Sequence, residues 1–163
     1  MHKAVLLIGG NLGNREQLIE RAHTLLSALG EITCQSSLYE TQAWGGASEG
    51  NFLNQALILR TPLSALALLE ATQEIEHQLG RTREVHWGNR TMDIDIMYVD
   101  ELVYQDERLS LPHPRIAERN FVLVPLTEIL PDFVHPVLQV SHRTLLHQSA
   151  DNNKVERYLS GTS

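Results

Sequence analysis

The chain is nearly without cysteine and lysine. Cys34 is the single thiol among 163 residues. No internal disulfide can form, and a site built from several thiolates is excluded. That usage fits a reducing compartment, so a cytoplasmic location is expected. Cys34 itself reads as a small buried hydrophobe. No apolar run reaches the ~18 residues a membrane helix needs. The apolar stretch in Met1–Gly9 is too short for a signal peptide and is followed by polar Asn11 and Asn14, so it reads as a first strand. A net charge of −7 argues against general nucleic-acid binding, which draws on a broad basic face. Apolar content of 42% and charged content of 20% suit one globular domain over residues 1–163. A chain of this length can build a core without staples. No repeats, linkers or low-complexity segments break it, and the polar tail after about residue 150 is expected to fray.

Because lysine occurs only at Lys3 and Lys154, the cationic residues are almost all arginine. Six of them, Arg81, Arg83, Arg90, Arg108, Arg115 and Arg119, fall within 39 residues. Arginine is suited to planar, bidentate phosphate contacts. On charge alone the cluster reads equally well as a solvated face paired with Glu84, Glu107 and Glu118.

Patterning gives a coarse order of elements. Lys3–Ile8 is a buried strand ending at Gly9-Gly10. Asn14, with Gln17 three residues on, opens a helix on which Leu18, Ala22, Leu25 and Leu29 recur, and Gly30 stops it. Glu31–Tyr39 alternates as a second strand and Phe52–Leu59 is a third. The loop between them, Thr41–Gly50, is long enough to carry function. Thr61-Pro62 opens a second helix with Leu68, Ala71, Ile75 and Leu79 inward and Gly80 at its end. After a polar loop at 81–90 come a fourth strand, Met92–Val99, and a short hairpin partner at Leu102–Tyr104. Arg119–Leu130 and Ser141–Gln148 are further helices, and 155–159 could add a last turn. The order β-α-β-β-α-β matches a ferredoxin-like α+β unit. Additional C-terminal helices would cover the second face of the sheet, giving three αβα layers.

Asp93 and Asp95 carry the strongest local signal. Strand side chains alternate, so both carboxylates leave the same face, with Cα atoms roughly 6.5–7 Å apart. Ile94 and Ile96 point into the core. A hard cation such as magnesium relieves the repulsion of such a pair, and two magnesium ions bridged by it could clamp a polyphosphate. D-x-D alone is weak, since most such pairs are solvated; the flanking arginines at 81, 83 and 90 strengthen it. Gly9-Gly10-Asn11-Leu12-Gly13 lacks the lysine and spacing of a phosphate loop and reads as a tight turn that could line a pocket. Trp44 and Trp87 sit in polar loops beside glycines, as loop anchors or as covers for a flat ligand. His113 is held in a proline-rich loop, Leu111-Pro112-His113-Pro114-Arg115, available to a phosphate. No general base is apparent, which suits phosphoryl-type transfer governed by positioning and charge neutralisation.

Gly88-Asn89-Arg90-Thr91-Met92-Asp93-Ile94-Asp95-Ile96-Met97 resembles the signature of the 6-hydroxymethyl-7,8-dihydropterin pyrophosphokinase family of folate biosynthesis. Ile8–Gly13, Ser37–Thr41, Phe52–Asn54, Glu76, Leu79–Arg81, Leu111–Pro114 and Arg119–Leu126 fall in family order. The resemblance implies ATP-dependent transfer of pyrophosphate to the pterin hydroxymethyl group with release of AMP. It implies that Asp93 and Asp95 hold two Mg2+ ions on the triphosphate. Arg81 and Arg90 would stabilise developing charge, with Arg83 in the same loop. His113 and Arg119 would contact the phosphate chain, and Arg108 and Ser110 would lie near the adenosine. Glu76 would order the nucleotide site. Trp87 would close over both substrates. Asn54 would read the pterin edge and Phe121 stack on the ring, with Gln42, Ala43 and Trp44 lining that pocket. Asn89, Gln42, Ala43 and Pro114 depart from residues common in the family. The expected partners are ATP and a reduced pterin, with no nucleic acid and no membrane, for a monomer. Two alternatives stand beside this reading: a non-catalytic ferredoxin-like metabolite-binding module and a magnesium-dependent nucleotidyltransferase.

Overall fold

The computed structural model describes residues 1–42, 51–80 and 91–159. Its elements run β1 His2–Gly10, α1 Arg15–Leu26, β2 Glu31–Gln35, β3 Tyr39–Thr41, β4 Phe52–Thr61, α2 Ala65–Gln78 and β5 Asp93–Val99. There follow β6 Tyr104–Gln105, β7 Ser110–Leu111, a 3-10 turn Ile116–Glu118, α3 Asn120–Ile129, α4 His142–Gln148 and β8 Val155–Arg157. The main sheet is antiparallel in the order β5-β1-β4-β3-β8, with β2 also on β4. This is the ferredoxin-like α+β arrangement: the first and third long strands lie centrally and the two helices cross behind.

Alternation along the strands assigns each face a core. Ala4, Leu6 and Ile8 of β1, Leu57 and Leu59 of β4, and Ile94 and Ile96 of β5 meet α1 and α2. Val5 and Leu7, Ala56 and Tyr98 point the other way and meet α3 and α4 through Val122, Leu123, Leu126 and Leu145. Three layers result, as expected. Where β1 pairs with β5 the register shifts by one residue between Val5 and Leu6. Both Met97 and Tyr98 therefore join the α3 side.

The starts of α1, α2 and α4 follow capping residues. Asn14 accepts from Gln17 N, Ser64 from Ala67 N and Ser141 from Thr144 N. On α1 the fully buried stripe is Ile19, Ala22 and Leu26, with Leu18, Leu25 and Leu29 only flanking it. The helix ends before Gly30, which is glycine for another reason. A Cβ there would lie 2.0 Å from the Arg60 carbonyl oxygen. On α2, Thr72 and Glu76 share the buried face with Leu68 and Ile75. Gly80, at φ +99°, follows it in the left-handed region.

Four expectations are corrected. The strand expected over Glu31–Tyr39 is two strands. At Ser36 the hydroxyl accepts from Ala56 N, and Gln55 Nε2 donates to the Ser36 carbonyl, so side chains interrupt the ladder. Leu102–Tyr104 is not a partner of β5: Leu102 and Val103 are exposed, and β6 pairs with β7. That hairpin is set by the Asp106 carboxylate, which accepts from Arg108 N and Leu109 N. The tail beyond 150, expected to be an unpaired end, carries a strand, β8, which adds to the edge of the sheet on β3. Cys34 is half-buried on β2 rather than enclosed.

Candidate active site

One cavity of 610 Å³ opens on the α3 side of the sheet, lined by residues of β1, β3, β4 and β5 and by the start of α3. Its floor is a row across three strands. Asp93 stands opposite Gly9, and Gly9 opposite Asn54. Asp95 lies two pairs further along, opposite Leu7. Directly opposed residues share a face, so the two carboxylates and the Asn54 amide look into the same space, while Ile94 and Ile96 go to the other core. Gly9 keeps the row open, since a Cβ there would come within 2.0 Å of the Leu53 carbonyl oxygen and 2.4 Å of Asn54 Oδ1.

The walls come from separate parts of the chain. Thr41, Gln42 and Phe52 form one side, and Arg115, Glu118, Arg119 and Phe121 the other. Arg119 lies with its guanidinium carbon 5.6 Å from the Phe121 ring centroid, a cation–π spacing. Thr41 is 3% exposed, and its hydroxyl has no hydrogen-bond partner among the described residues. A buried unpaired hydroxyl is costly, so a ligand that bonds it would gain from doing so. The cavity thus combines aromatic and amide groups with carboxylates and arginines.

The Glu76 carboxylate is 6% exposed and approaches β5 from α2. Its Oε2 accepts from Ile94 N at 2.7 Å. It therefore holds the backbone between Asp93 and Asp95 and does not line the cavity. His113 is anchored by its own N–H to the Met97 carbonyl, and its Nδ1 accepts from Arg115 N at 3.2 Å. Burial first, then the charges of Arg119 and Arg115, hold its imidazole below the ordinary histidine range. The neutral ring bonded in this way carries its proton on Nε2. His113 and Ser110 line an adjoining groove with Tyr104, Ile116 and Val137. Arg108 reaches Glu70 at 3.3 Å on the surface.

Of the residues singled out from sequence, Gln42, Asn54, Asp93, Asp95, Arg119 and Phe121 come together in the cavity. His113 and Ser110 lie beside it, Arg108 at the surface, and Glu76 behind β5. Ala43, Trp44, Arg81, Arg83, Trp87 and Arg90 lie outside the described residues. The sequence reading missed Thr41 and Phe52 as cavity residues. Both belong to family-ordered blocks, yet neither carries a charge or a periodicity that separates a site residue from a strand residue.

Residues 5–131 match the family described as 7,8-dihydro-6-hydroxymethylpterin-pyrophosphokinase (HPPK). A 2-amino-4-hydroxy-6-hydroxymethyldihydropteridine pyrophosphokinase from Bacillus subtilis (strain 168) is 46% identical over 128 residues, 77% of each chain. Its counterpart from Haemophilus influenzae is 34% identical over 161 residues, 96% of this chain and 98% of its own. A solved Plasmodium falciparum HPPK-DHPS bound to pteroate superposes with a TM-score of 0.71 at 17% identity. The match takes in 90% of this chain and 42% of that one, and at this identity the likeness concerns the fold. With the family matched over most of its length and close relatives along nearly all of it, the chain belongs to the 7,8-dihydro-6-hydroxymethylpterin-pyrophosphokinase family.

Proposed function

We propose that this chain binds ATP and 6-hydroxymethyl-7,8-dihydropterin side by side in the 610 Å³ cavity, and that the row Asp93–Gly9–Asn54 is its reaction axis. The family reaction is transfer of pyrophosphate to the hydroxymethyl group in folate biosynthesis, with ATP as co-substrate. The observation that carries the residue assignment is this row. It sets an amide that can pair with a pterin edge and two carboxylates that can hold metal-bound phosphates on one face, separated by a residue without a side chain.

The parts of the site divide the work. The Asn54 amide reads the flat heterocycle by hydrogen bonds, and the Thr41 hydroxyl adds a further polar contact. Phe121 and Phe52 supply aromatic surface from the two walls, with Gln42 beside Phe52; family order assigns Ala43 and Trp44 to the same pterin pocket. Arg119 sits between ring and phosphate chain. Its fixed charge, with Arg81, Arg83 and Arg90 from the arginine-rich segment, compensates charge that builds on the transferred group. His113 and Ser110 extend the site along the nucleotide, with Arg108 further out. Family order assigns Trp87 to the binding of both substrates. Glu76 holds the spacing of Asp93 and Asp95 by fixing the peptide between them.

Asp93 and Asp95 suit Mg2+, a hard cation that is commonly held by one or two carboxylates plus substrate phosphates. We assign them two ions. When bound, magnesium neutralises the triphosphate and polarises the transferred phosphoryl group. The acceptor hydroxyl oxygen attacks the β-phosphorus and gives up its proton to solvent, the bond from that phosphorus to the α,β-bridging oxygen breaks, and AMP leaves. The protein's part is alignment and charge compensation.

We assign this activity to one catalytic domain acting as a monomer in the cytoplasm, with small-molecule partners and no nucleic acid. The net charge of −7 and the single cysteine support that reading. No helix among the described residues is long and apolar enough to cross a membrane. Product analysis tests the whole proposal. ATP, magnesium and the reduced pterin should yield AMP and a diphosphorylated pterin. Release of free pyrophosphate would instead identify a nucleotidyltransferase, and absence of turnover a binding module.

A further inference from the structure

Helix α3 presents Arg119 and Phe121 to the cavity from its first turn, and that turn is poorly secured from within. Helix N-caps favour Ser, Thr, Asp or Asn, whose side chains accept from the free N–H groups. Here the N-cap is Arg119, which makes no side-chain capping bond. Arginine has no acceptor to offer, and its charge is unfavourable at the positive end of a helix dipole. Pro125 lies inside the same helix. It lacks the N–H that would bond the Phe121 carbonyl.

The missing acceptor comes from 31 residues away. Asp151 Oδ2 accepts from Asn120 N at 2.8 Å, and the Asp151 carbonyl accepts from Asn120 Nδ2 at 3.0 Å. Asn120 is the residue between Arg119 and Phe121. Asp151 thereby supplies both the lone pair and the negative charge that Arg119 cannot. Its other oxygen accepts from Asn153 N at 2.9 Å, which fixes the carboxylate.

The same tail grips the opposite wall. From Asp151 it runs into β8, where Val155 pairs with Thr41, Glu156 with Glu40 and Arg157 with Tyr39. Tyr158 N then donates to the Leu38 carbonyl, and Tyr158 Oη donates to Glu16 Oε1 at 2.7 Å. One short segment thus holds the Phe121 wall and the Thr41 wall at a set separation. It lies wholly outside residues 5–131, where the family match falls.

We propose that Asp151 is a positioning residue for the acceptor pocket, capping α3 from outside the helix so that Arg119 and Phe121 stay aimed at the bound heterocycle. The inference rests on the assignment of Phe121 to that pocket. Its test compares Asp151→Ala with Asp151→Asn, whose amide oxygen can still accept from Asn120 N. Equilibrium binding of 6-hydroxymethyl-7,8-dihydropterin should weaken about tenfold in D151A and stay within about twofold of wild type in D151N. Adding Phe121→Ala to D151A should cost little more than F121A alone, because Asp151 acts through that ring. Equal affinity of all three proteins, equal losses in both Asp151 variants, or fully additive losses with F121A would overturn the proposal. Amide hydrogen exchange of residues 120–123 reads the cap without ligand. Faster exchange in D151A but not D151N supports it, and unchanged exchange refutes it. Failure of the functional reading would look different, because wild-type protein would then bind no pterin while the exchange result still stood.

Discussion

Gly9 lies directly opposite Asn54, and the space a Cβ would take on Gly9 is already filled by the Asn54 side chain, whose Oδ1 would be 2.4 Å away. The Asn54 amide oxygen thus occupies the space that glycine leaves open, in the same cross-strand row as Asp93. Gly9→Ala should therefore act twice. It should lower stability by about 1–3 kcal/mol, the usual cost of overpacking, since the Leu53 carbonyl is also in the way. It should also weaken pterin binding more than ATP binding. Thermal unfolding and separate KM values check both, and equal effects on the two substrates would count against Asn54 as the pterin reader.

Asp95→Ala should abolish magnesium-dependent turnover while leaving the fold near intact, because the carboxylate is half-exposed on an open face of β5. Circular dichroism and a magnesium titration of activity test this together. Near-normal rates at ordinary magnesium would remove Asp95 from the metal site.

Glu76→Ala should separate support from contact. It removes a charged acceptor from a buried N–H, which costs roughly 1.5–3 kcal/mol. Loss of the anchor between the two aspartates should also lower kcat. Glu76→Gln retains an oxygen for Ile94 N and should recover most of both. If Gln fails as badly as Ala in activity but not in stability, the charge of Glu76 acts on the nucleotide directly.

Arg90→Ala should lower kcat by about 10²-fold or more, the scale for loss of one preorganised charge-stabilising donor. This expectation rests on family order, since Arg90 lies outside the described residues. An unchanged kcat would return Arg90 to the solvated surface.

Acid should unfold this protein partly through His142. Its ring is fully buried, with Nδ1 near the Leu130 carbonyl and Nε2 near Tyr98 Oη, each at 2.8 Å. Burial pushes its pKa down to about 4 from 6.5. The folded state thus disfavours the protonated ring. Its contribution is complete above pH 6.5, is lost as pH falls through the window to about 4, and amounts to roughly 3 kcal/mol. Stability should fall across that window, and the His142 Cε1 proton should titrate near pH 4 by NMR. A titration near 6.5 would contradict the buried neutral ring.

Much of this site was legible from the chain alone because its signals are local. Asp93 and Asp95 share a face by strand alternation, and capping residues such as Asn14 and Ser141 announce helix starts over three or four residues. Family order then joined Asn54, Phe121 and Arg119 to the aspartates. That order assigns Glu76 to the nucleotide site, but its contact with Ile94 N across 18 residues has no local signature. Ser36 reads as mid-strand because a hydroxyl that replaces a ladder bond looks like any strand serine until its partner, Ala56, is known.

The sequence by itself determined the elements, the ferredoxin-like order and the chemistry of the motif, since period, caps and ligand types act over a few bonds. Only the tertiary structure decided how the row Asp93–Gly9–Asn54 closes across three strands, because that depends on register between distant segments. It also decided that the tail is a strand and a cap. Val155–Arg157 is too short and polar to declare itself, and it becomes ordered only where β3 offers an open edge and α3 an uncapped amide.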